Sequence, residues 1–338
     1  MNGEAERDEP TSSTAAVDAV VQAGGPRLTT LLERTEARLV ALAAGHGEPL
    51  ARHATATISA GGKRLRPLLV FLTAGDAAPE AAEERLVRAA AACELIHSAS
   101  LVHDDVLDAA ALRRGAPTVV AAAGRTTATA TGDLLFSRAF AGLVDGGELD
   151  DVRALSAATS ALAAGELMQR AGAWDVTIPL ERYLHRCELK TGSLFEAACR
   201  LGALGGGFSR AAADALARFG RGIGLAFQLL DDMLDVSGPV SRTGKARGTD
   251  LLDGTITLPL ILARERDPEL AQLDLHELRT PDDAEPVCER IAATGALPAA
   301  KQQALDVVEA ARADLPSLPS AQRHALELVA EGVVERYG

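Results

Sequence analysis

Aromatic residues are scarce in this chain. Phe, Trp and Tyr make up 3% of 338 residues, with a single tryptophan. Leu, Val, Ile and Ala must therefore fill the core, and aromatic walls cannot be the main way a ligand pocket is shaped. Cationic excess is also absent: 34 Lys and Arg stand against 47 Asp and Glu, giving a net charge of −13. Phosphate backbones are bound by basic surfaces, so nucleic acid is excluded as the main partner. No apolar run reaches the roughly 18 residues that cross a bilayer, so no membrane span is expected. The first residues are polar and acidic, without a basic start and an apolar stretch, which argues against a signal peptide. Cys93, Cys187, Cys199 and Cys288 are widely spaced and form no CxxC pair. They read as reduced, buried thiols of a cytoplasmic protein. Runs of alternating β-branched residues are missing, which leaves an all-α fold.

What the chain does have is helical periodicity. Residues 1–26 carry Glu, Asp, Thr, Ser and Gly without a sustained apolar period. They are expected to form a mobile N-terminal tail, with a short helix at most over 15–21. From residue 27 to 338 the pattern reads as one helical domain. Helices are expected over 80–108, around 133–140, and over 151–171, 180–204, 210–236, 255–265, 284–294, 298–313 and 319–336. Gly61 and Gly62 suit a turn, and Pro67 suits the first turn of a helix through Leu72. Residues 113–117 read as a loop. The Gly-rich, polar segment 237–253 reads as a flexible flap.

Two acidic motifs stand out. Asp104, Asp105 and Asp108 form a DDxxD pattern, and Asp231, Asp232 and Asp235 repeat it. Positions i and i+4 share a helix face, so Asp104 lies with Asp108 and Asp231 with Asp235. Like charges at that spacing repel, and the apolar flanks, Ser100-Leu-Val102 and Phe227-Gln-Leu-Leu230, indicate burial. Divalent cations resolve the conflict. Mg²⁺ takes hard oxygen ligands, usually one or two carboxylates plus substrate phosphates. A solvated acidic face is the competing reading of one such motif. Two motifs set in apolar helices favour a metal–diphosphate site.

Basic residues lie near these clusters. Lys63 and Arg66 follow a glycine turn at a helix start, where backbone N–H groups favour an anion. Arg113 and Arg114 follow the first motif, where arginine can grip diphosphate oxygens in pairs. Lys190 and Thr191 fall in a helical stretch, Gln228 lies one turn before Asp231, and Lys245 lies in the flap. His97 precedes the first motif by two turns.

With GGKRLRP at 61–67, ELIHSASLVHDDVLD at 94–108 and LRRGAPT at 112–118, the chain resembles the trans-isoprenyl diphosphate synthases, the polyprenyl synthetase family. GD at 132–133, LKTGSLFEAA at 189–198, FQLLDDMLDV at 227–236 and GTDLLDGTITLP at 248–259 extend the resemblance over about residues 28–335. It implies an all-α, single-domain bundle around a deep central cavity, working as a homodimer. It also implies condensation of isopentenyl diphosphate with an allylic diphosphate (dimethylallyl, geranyl or farnesyl). Asp104 and Asp108, with Asp105, would bind Mg²⁺ on the allylic diphosphate. Asp231 would bind a further Mg²⁺, supported by Asp232 and Asp235. Lys63, Arg66, His97 and Arg114 would hold isopentenyl diphosphate, and Arg113, Lys190 and Lys245 the allylic diphosphate. Thr191 and Gln228 would line the reacting carbons. One departure is Thr255, where the family usually has lysine. Lys245 or Arg247 could compensate.

Product length is addressed by helix geometry. One turn below Asp104 lie Ser100 and Ala99, then Ile96 and Cys93. Each turn is 5.4 Å, roughly one isoprene unit. In the family, bulky aromatics at the two upper positions go with short products. Small residues here point to a medium or long chain, with a C20 product as the alternative. Two other readings compete. A terpene cyclase would lack GGKRLRP and carry more aromatics. A non-catalytic partner subunit would have lost an aspartate motif, and both are intact.

Overall fold

The computed structural model describes residues 12–238 and 247–335. Helices α1 (Ser12–Ala23), α2 (Gly25–Ala44), α3 (Leu50–Ser59) and α4 (Leu65–Ala74) lead to the long α5 (Glu83–Leu107). A minimal hairpin follows, β1 (Leu112–Arg113) and β2 (Ala116–Pro117), antiparallel with Leu112 opposite Pro117. Next come α6 (Val119–Val144), α7 (Leu149–Ala171) and α8 (Leu180–Cys187). A π-helical turn (Glu188–Gly192) joins α8 to α9 (Ser193–Gly205), and α10 (Arg210–Ser237) follows. The C-terminal part holds α11 (Thr249–Leu252), α12 (Leu258–Arg264), α13 (Pro268–Ala271), α14 (Pro281–Ala293), α15 (Ala296–Ala313) and α16 (Ser320–Glu335).

The core is built around α5 and α10. Every residue of α5 from Ala89 to Ile96 is buried. Apart from Glu94 this stretch is apolar on every side, which suits the interior, and its run of alanines lets neighbours approach closely. α5 packs on α6, α4, α2 and α9, while α10 packs on α9, α15 and the π turn. Ion pairs fix the surrounding shell. Arg85 of α5 grips Asp151 of α7 with two bonds, Nε to Oδ2 at 2.8 Å and Nη2 to Oδ1 at 2.7 Å. Arg64 joins α2 and α5 by pairing with Glu36 and with buried Glu94, and it also donates to the Ile58 carbonyl.

The all-α expectation holds, and most helix bounds agree with the apolar period. Four details differ. The expected tail is helical from Ser12, and α1 packs on α16 with Val20 buried; residues 1–11 lie outside the described residues. A repeating apolar step is hard to read in a helix that buries one narrow stripe. The loop at 113–117 contains the two-residue ladder, too short for an alternation signal. The helix over 180–204 is broken by the π turn. Of the expected flap, 239–246 lies outside the described residues, while Thr249–Leu252 forms α11.

A further tie links the α7–α8 turn to the C-terminal half. The Trp174 N–H donates to the Gly254 carbonyl at 2.8 Å, and its ring stacks on His276 with centroids 4.4 Å apart.

Candidate active site

The last turn of α5 supplies the first acidic group. Asp108 is the C-cap, and its N–H donates to the Asp104 carbonyl at 2.8 Å. The Asp104 carboxyl is pushed up to about 6, first by burial and then by Glu166 and Asp108, against the pull of Lys190 and Arg113. Asp105 turns inward and is 4% exposed. Arg113 holds it, donating from Nε at 2.8 Å, so the hairpin is clamped beneath the helix end.

Helix α7 adds three residues that the spacing argument did not find: Glu166, Gln169 and Arg170. Arg170 donates from Nε to Glu166 at 2.8 Å and from Nη2 to Asp108. Lys190 forms an ion pair with Glu166 and donates to Gln169 at 3.3 Å. Burial opposes ionisation of Glu166, yet Lys190 and Arg170 hold its carboxyl below the usual range. Gly165 makes this possible. A Cβ there would lie 2.5 Å from the Lys190 backbone nitrogen. The available signal was Gly-Glu-Leu-Met-Gln-Arg at 165–170, an acid and a base four apart beside a glycine.

Lys190 and Thr191 sit on the π turn. Such turns insert a residue into a helix and re-aim the side chains beside it. The Thr191 hydroxyl donates to Gln228 Oε1 at 2.7 Å, and Gln228 Nε2 donates to Asp232 Oδ1 at 2.7 Å. The other Asp232 oxygen accepts from the Tyr183 hydroxyl at 2.6 Å. Tyr183 is a fourth residue missed from sequence. Burial pushes the Asp232 carboxyl up to about 6, opposed by Arg186, Tyr183 and Gln228. Asp231, on the neighbouring position, is exposed. Asp235 accepts from the Asp250 N–H at 3.1 Å.

These contacts join the two acidic groups. One polar seam runs Asp108–Arg170–Glu166–Lys190, and a second runs Thr191–Gln228–Asp232–Tyr183. They meet at adjacent residues of the π turn.

A cationic pocket adjoins the seam. His97 lies among Arg66, Arg114, Arg113 and Arg64; burial first, then these guanidiniums, depress its pKa well below the ordinary value. Arg66 spreads over the Phe195 ring at 4.6 Å, with its Nε buried and without a hydrogen-bond partner. Arg114 lies against Gly62, where a Cβ would sit 3.2 Å from its guanidinium. Lys63 is half-buried between Gly62 and Arg64. Four arginines around a neutral imidazole, one with an orphaned N–H, form a ready site for an anion. Lys245 lies outside the described residues. Arg247 donates to the Val236 carbonyl at 2.8 Å and pairs with Glu285, so it is committed to the end of α10.

A profile of the polyprenyl synthetase family matches residues 48–293. The chain belongs to this family. It is 36% identical over 284 residues to octaprenyl diphosphate synthase of Escherichia coli (strain K12), covering 82% of this chain and 87% of that one. It is 34% identical over 301 residues to solanesyl diphosphate synthase 2, chloroplastic, of Arabidopsis thaliana, covering 88% and 72%. Among solved structures, a polyprenyl synthase from Caulobacter crescentus CB15, complexed with calcium and isoprenyl diphosphate, superposes with a TM-score of 0.87. That pair is 34% identical, covering 95% of this chain and 98% of the other. The protein is accordingly a prenyltransferase of the trans-polyprenyl diphosphate synthase kind, with the all-α isoprenoid synthase fold.

The polyprenyl synthetase site fits a hard divalent cation. Its donors are carboxylate oxygens, and Asp108 already takes a cation, Arg170, as its partner. Among the described residues no three His, Cys, Asp or Glu side chains form a complete cage. Below Asp104, Ser100 and Ala99 are both buried, and the Ser100 hydroxyl donates back to the His97 carbonyl at 2.8 Å. The Thr255 N–H donates to the Asp250 carbonyl at 2.8 Å, so this position supports the segment that reaches Asp235.

Proposed function

We propose that this polyprenyl synthetase condenses isopentenyl diphosphate with an allylic diphosphate, head to tail, to make a medium- or long-chain product of about C30–C50. The observation that carries this reading is the junction of the two aspartate groups, through Lys190 and Thr191, beside the arginine pocket around His97. Lys63, Arg66, His97 and Arg114 hold isopentenyl diphosphate. Asp104, Asp108, Asp231 and Asp235 hold Mg²⁺ against the allylic diphosphate, with Glu166 and Arg170 adjusting the charge around them. Bound there, Mg²⁺ supplies charge neutralisation for the leaving diphosphate. Lys190 adds a cation to the same oxygens. Thr191, oriented by Gln228, turns its oxygen lone pairs toward the positive carbon left when the allylic C–O bond breaks. The isopentenyl double bond then forms the new C–C bond, and the departing diphosphate takes the proton.

Small, buried Ser100 and Ala99 support the chain length, as do the octaprenyl and solanesyl enzymes among the relatives. Four buried free thiols support the reducing cytoplasm as its compartment. A homodimer is supported by α6, whose Ala122, Thr126, Thr129, Ser137 and Ala141 leave an exposed face of small residues. Exposed Val144, Leu149 and Leu167 continue it.

The test is extension of farnesyl diphosphate by labelled isopentenyl diphosphate with Mg²⁺, followed by sizing of the products. Asp104→Ala and Asp231→Ala are expected to fold and to lose roughly a hundredfold or more in turnover. Near-native rates in both variants would overturn the metal assignment, and unextended farnesyl diphosphate would overturn the chain length.

A further inference from the structure

We propose that Tyr183 is a positioning residue for this reaction, acting through Asp232 and Gln228 to fix which side of the Thr191 hydroxyl faces the reacting carbons. The inference rests on the reading above and deepens it.

The polarity of the seam follows from which groups can donate. The Tyr183 ring is fully buried, and its hydroxyl donates to Asp232 Oδ2 at 2.6 Å. Asp232 Oδ1, also an acceptor, lies 2.7 Å from Gln228, so the NH₂ end of that amide points to it. The amide oxygen is thereby turned to Thr191, 2.7 Å away, and a carbonyl oxygen can only accept. The Thr191 proton is committed to Gln228. Toward the site the Thr191 oxygen presents lone pairs, the polarity that favours a positive carbon.

Thr191 also departs from the habit of helical threonines in this molecule. Thr35, Thr73, Thr131 and Thr159 each donate back to the carbonyl four residues earlier. That is the ordinary local bond of a hydroxyl inside a helix. Thr191, on the π turn, instead reaches another helix. Its neighbour Ser193 keeps the ordinary bond, to Leu189 at 2.7 Å.

Tyr183 is itself wedged. The Arg186 guanidinium lies over its ring at 4.9 Å and donates to the Ile256 carbonyl at 3.0 Å. Without the phenol, Asp232 loses one of its two fixed donors and can rotate. The Gln228 amide can then turn over, offering NH₂ to Thr191, whose hydroxyl would accept and swing its own proton toward the carbocation.

The experiment is a double-mutant cycle on the full-length enzyme, with the extension assay as readout and melting temperatures as a fold check. Tyr183→Phe is expected to lower kcat on the order of tenfold, the worth of one buried hydrogen bond. KM for both diphosphates and the Mg²⁺ concentration for half activity should stay within about twofold, because substrate and metal binding are untouched. In a Thr191→Val background, Tyr183→Phe should cost nothing further. Independent, multiplying losses in the double variant would overturn the proposal, and so would a Tyr183→Phe effect confined to KM. A second comparison does not depend on Tyr183. Thr191→Ser should stay within about threefold of the wild type while Thr191→Val does not; equal losses in both would overturn it as well. A wild-type enzyme that extends no allylic diphosphate would instead remove the functional reading.

Discussion

Asp104 and Asp232 each carry a carboxyl lifted to about 6, with burial as the leading cause in both. An unfolded aspartate titrates near 3.9. Between about pH 4 and pH 6 the folded protein keeps protons that the unfolded chain releases. Stability therefore falls as pH rises through that window, the reverse of an ordinary salt-bridged aspartate. Asp104→Asn is expected to raise the melting temperature of the ligand-free protein at pH 7.5 and to flatten its decline between about pH 4 and pH 6. Scanning calorimetry would check it; an unchanged slope would show that Asp104 is not the strained group. At this scale spacing encodes only part of the site. Asp104 with Asp108 and Asp231 with Asp235 follow from a four-residue step. Glu166, Arg170 and Tyr183 did not, because their partners are far away in the chain: Arg170 meets Asp108 across 62 residues, and Tyr183 meets Asp232 across 49. Spacing carries no information about such pairs.

Among the elements, the long helices were legible because an apolar period repeats over several turns. α5 and α10 are examples, each bounded within a few residues. The π turn at Glu188–Gly192 was not, since no residue type marks it and the apolar period on either side is too short to fix the change of phase. It nonetheless decides where Lys190 and Thr191 point. The close approach of α7 depends on Gly165, and adding even a methyl group must push Lys190 outward. Gly165→Ala is expected to destabilise the protein by about 1–3 kcal/mol, the usual cost of overpacking. It should also lower kcat, because Lys190 moves with the turn. Urea unfolding and steady-state kinetics on the same preparation would check both; unchanged stability would mean the helices part freely.

The whole molecule is acidic, yet it gathers arginines around His97, so net charge alone would have hidden the anion pocket. Its thiols behave as composition suggested. All four are free and buried. Burial pushes Cys93, Cys187 and Cys288 up to about 12 and raises Cys199 as well. A thiol reacts as its thiolate, so none should react with Ellman's reagent at pH 8 in the native protein, and all four should react in denaturant. Rapid labelling of the native enzyme would show that the core opens locally.

The clasp between Trp174 and Gly254 gives the molecule a built-in optical probe. Trp174 is the only tryptophan. Its partner segment continues through Thr255 to Asp250, whose N–H rests on Asp235. Any tightening at the second acidic group is thereby transmitted to the indole, and tryptophan emission reports it without a label. Titrating inorganic diphosphate with Mg²⁺ should shift the emission in a saturable way, and Asp235→Ala should abolish the shift. A flat titration in the wild type would mean that the segment is rigid and the indole does not sense the site.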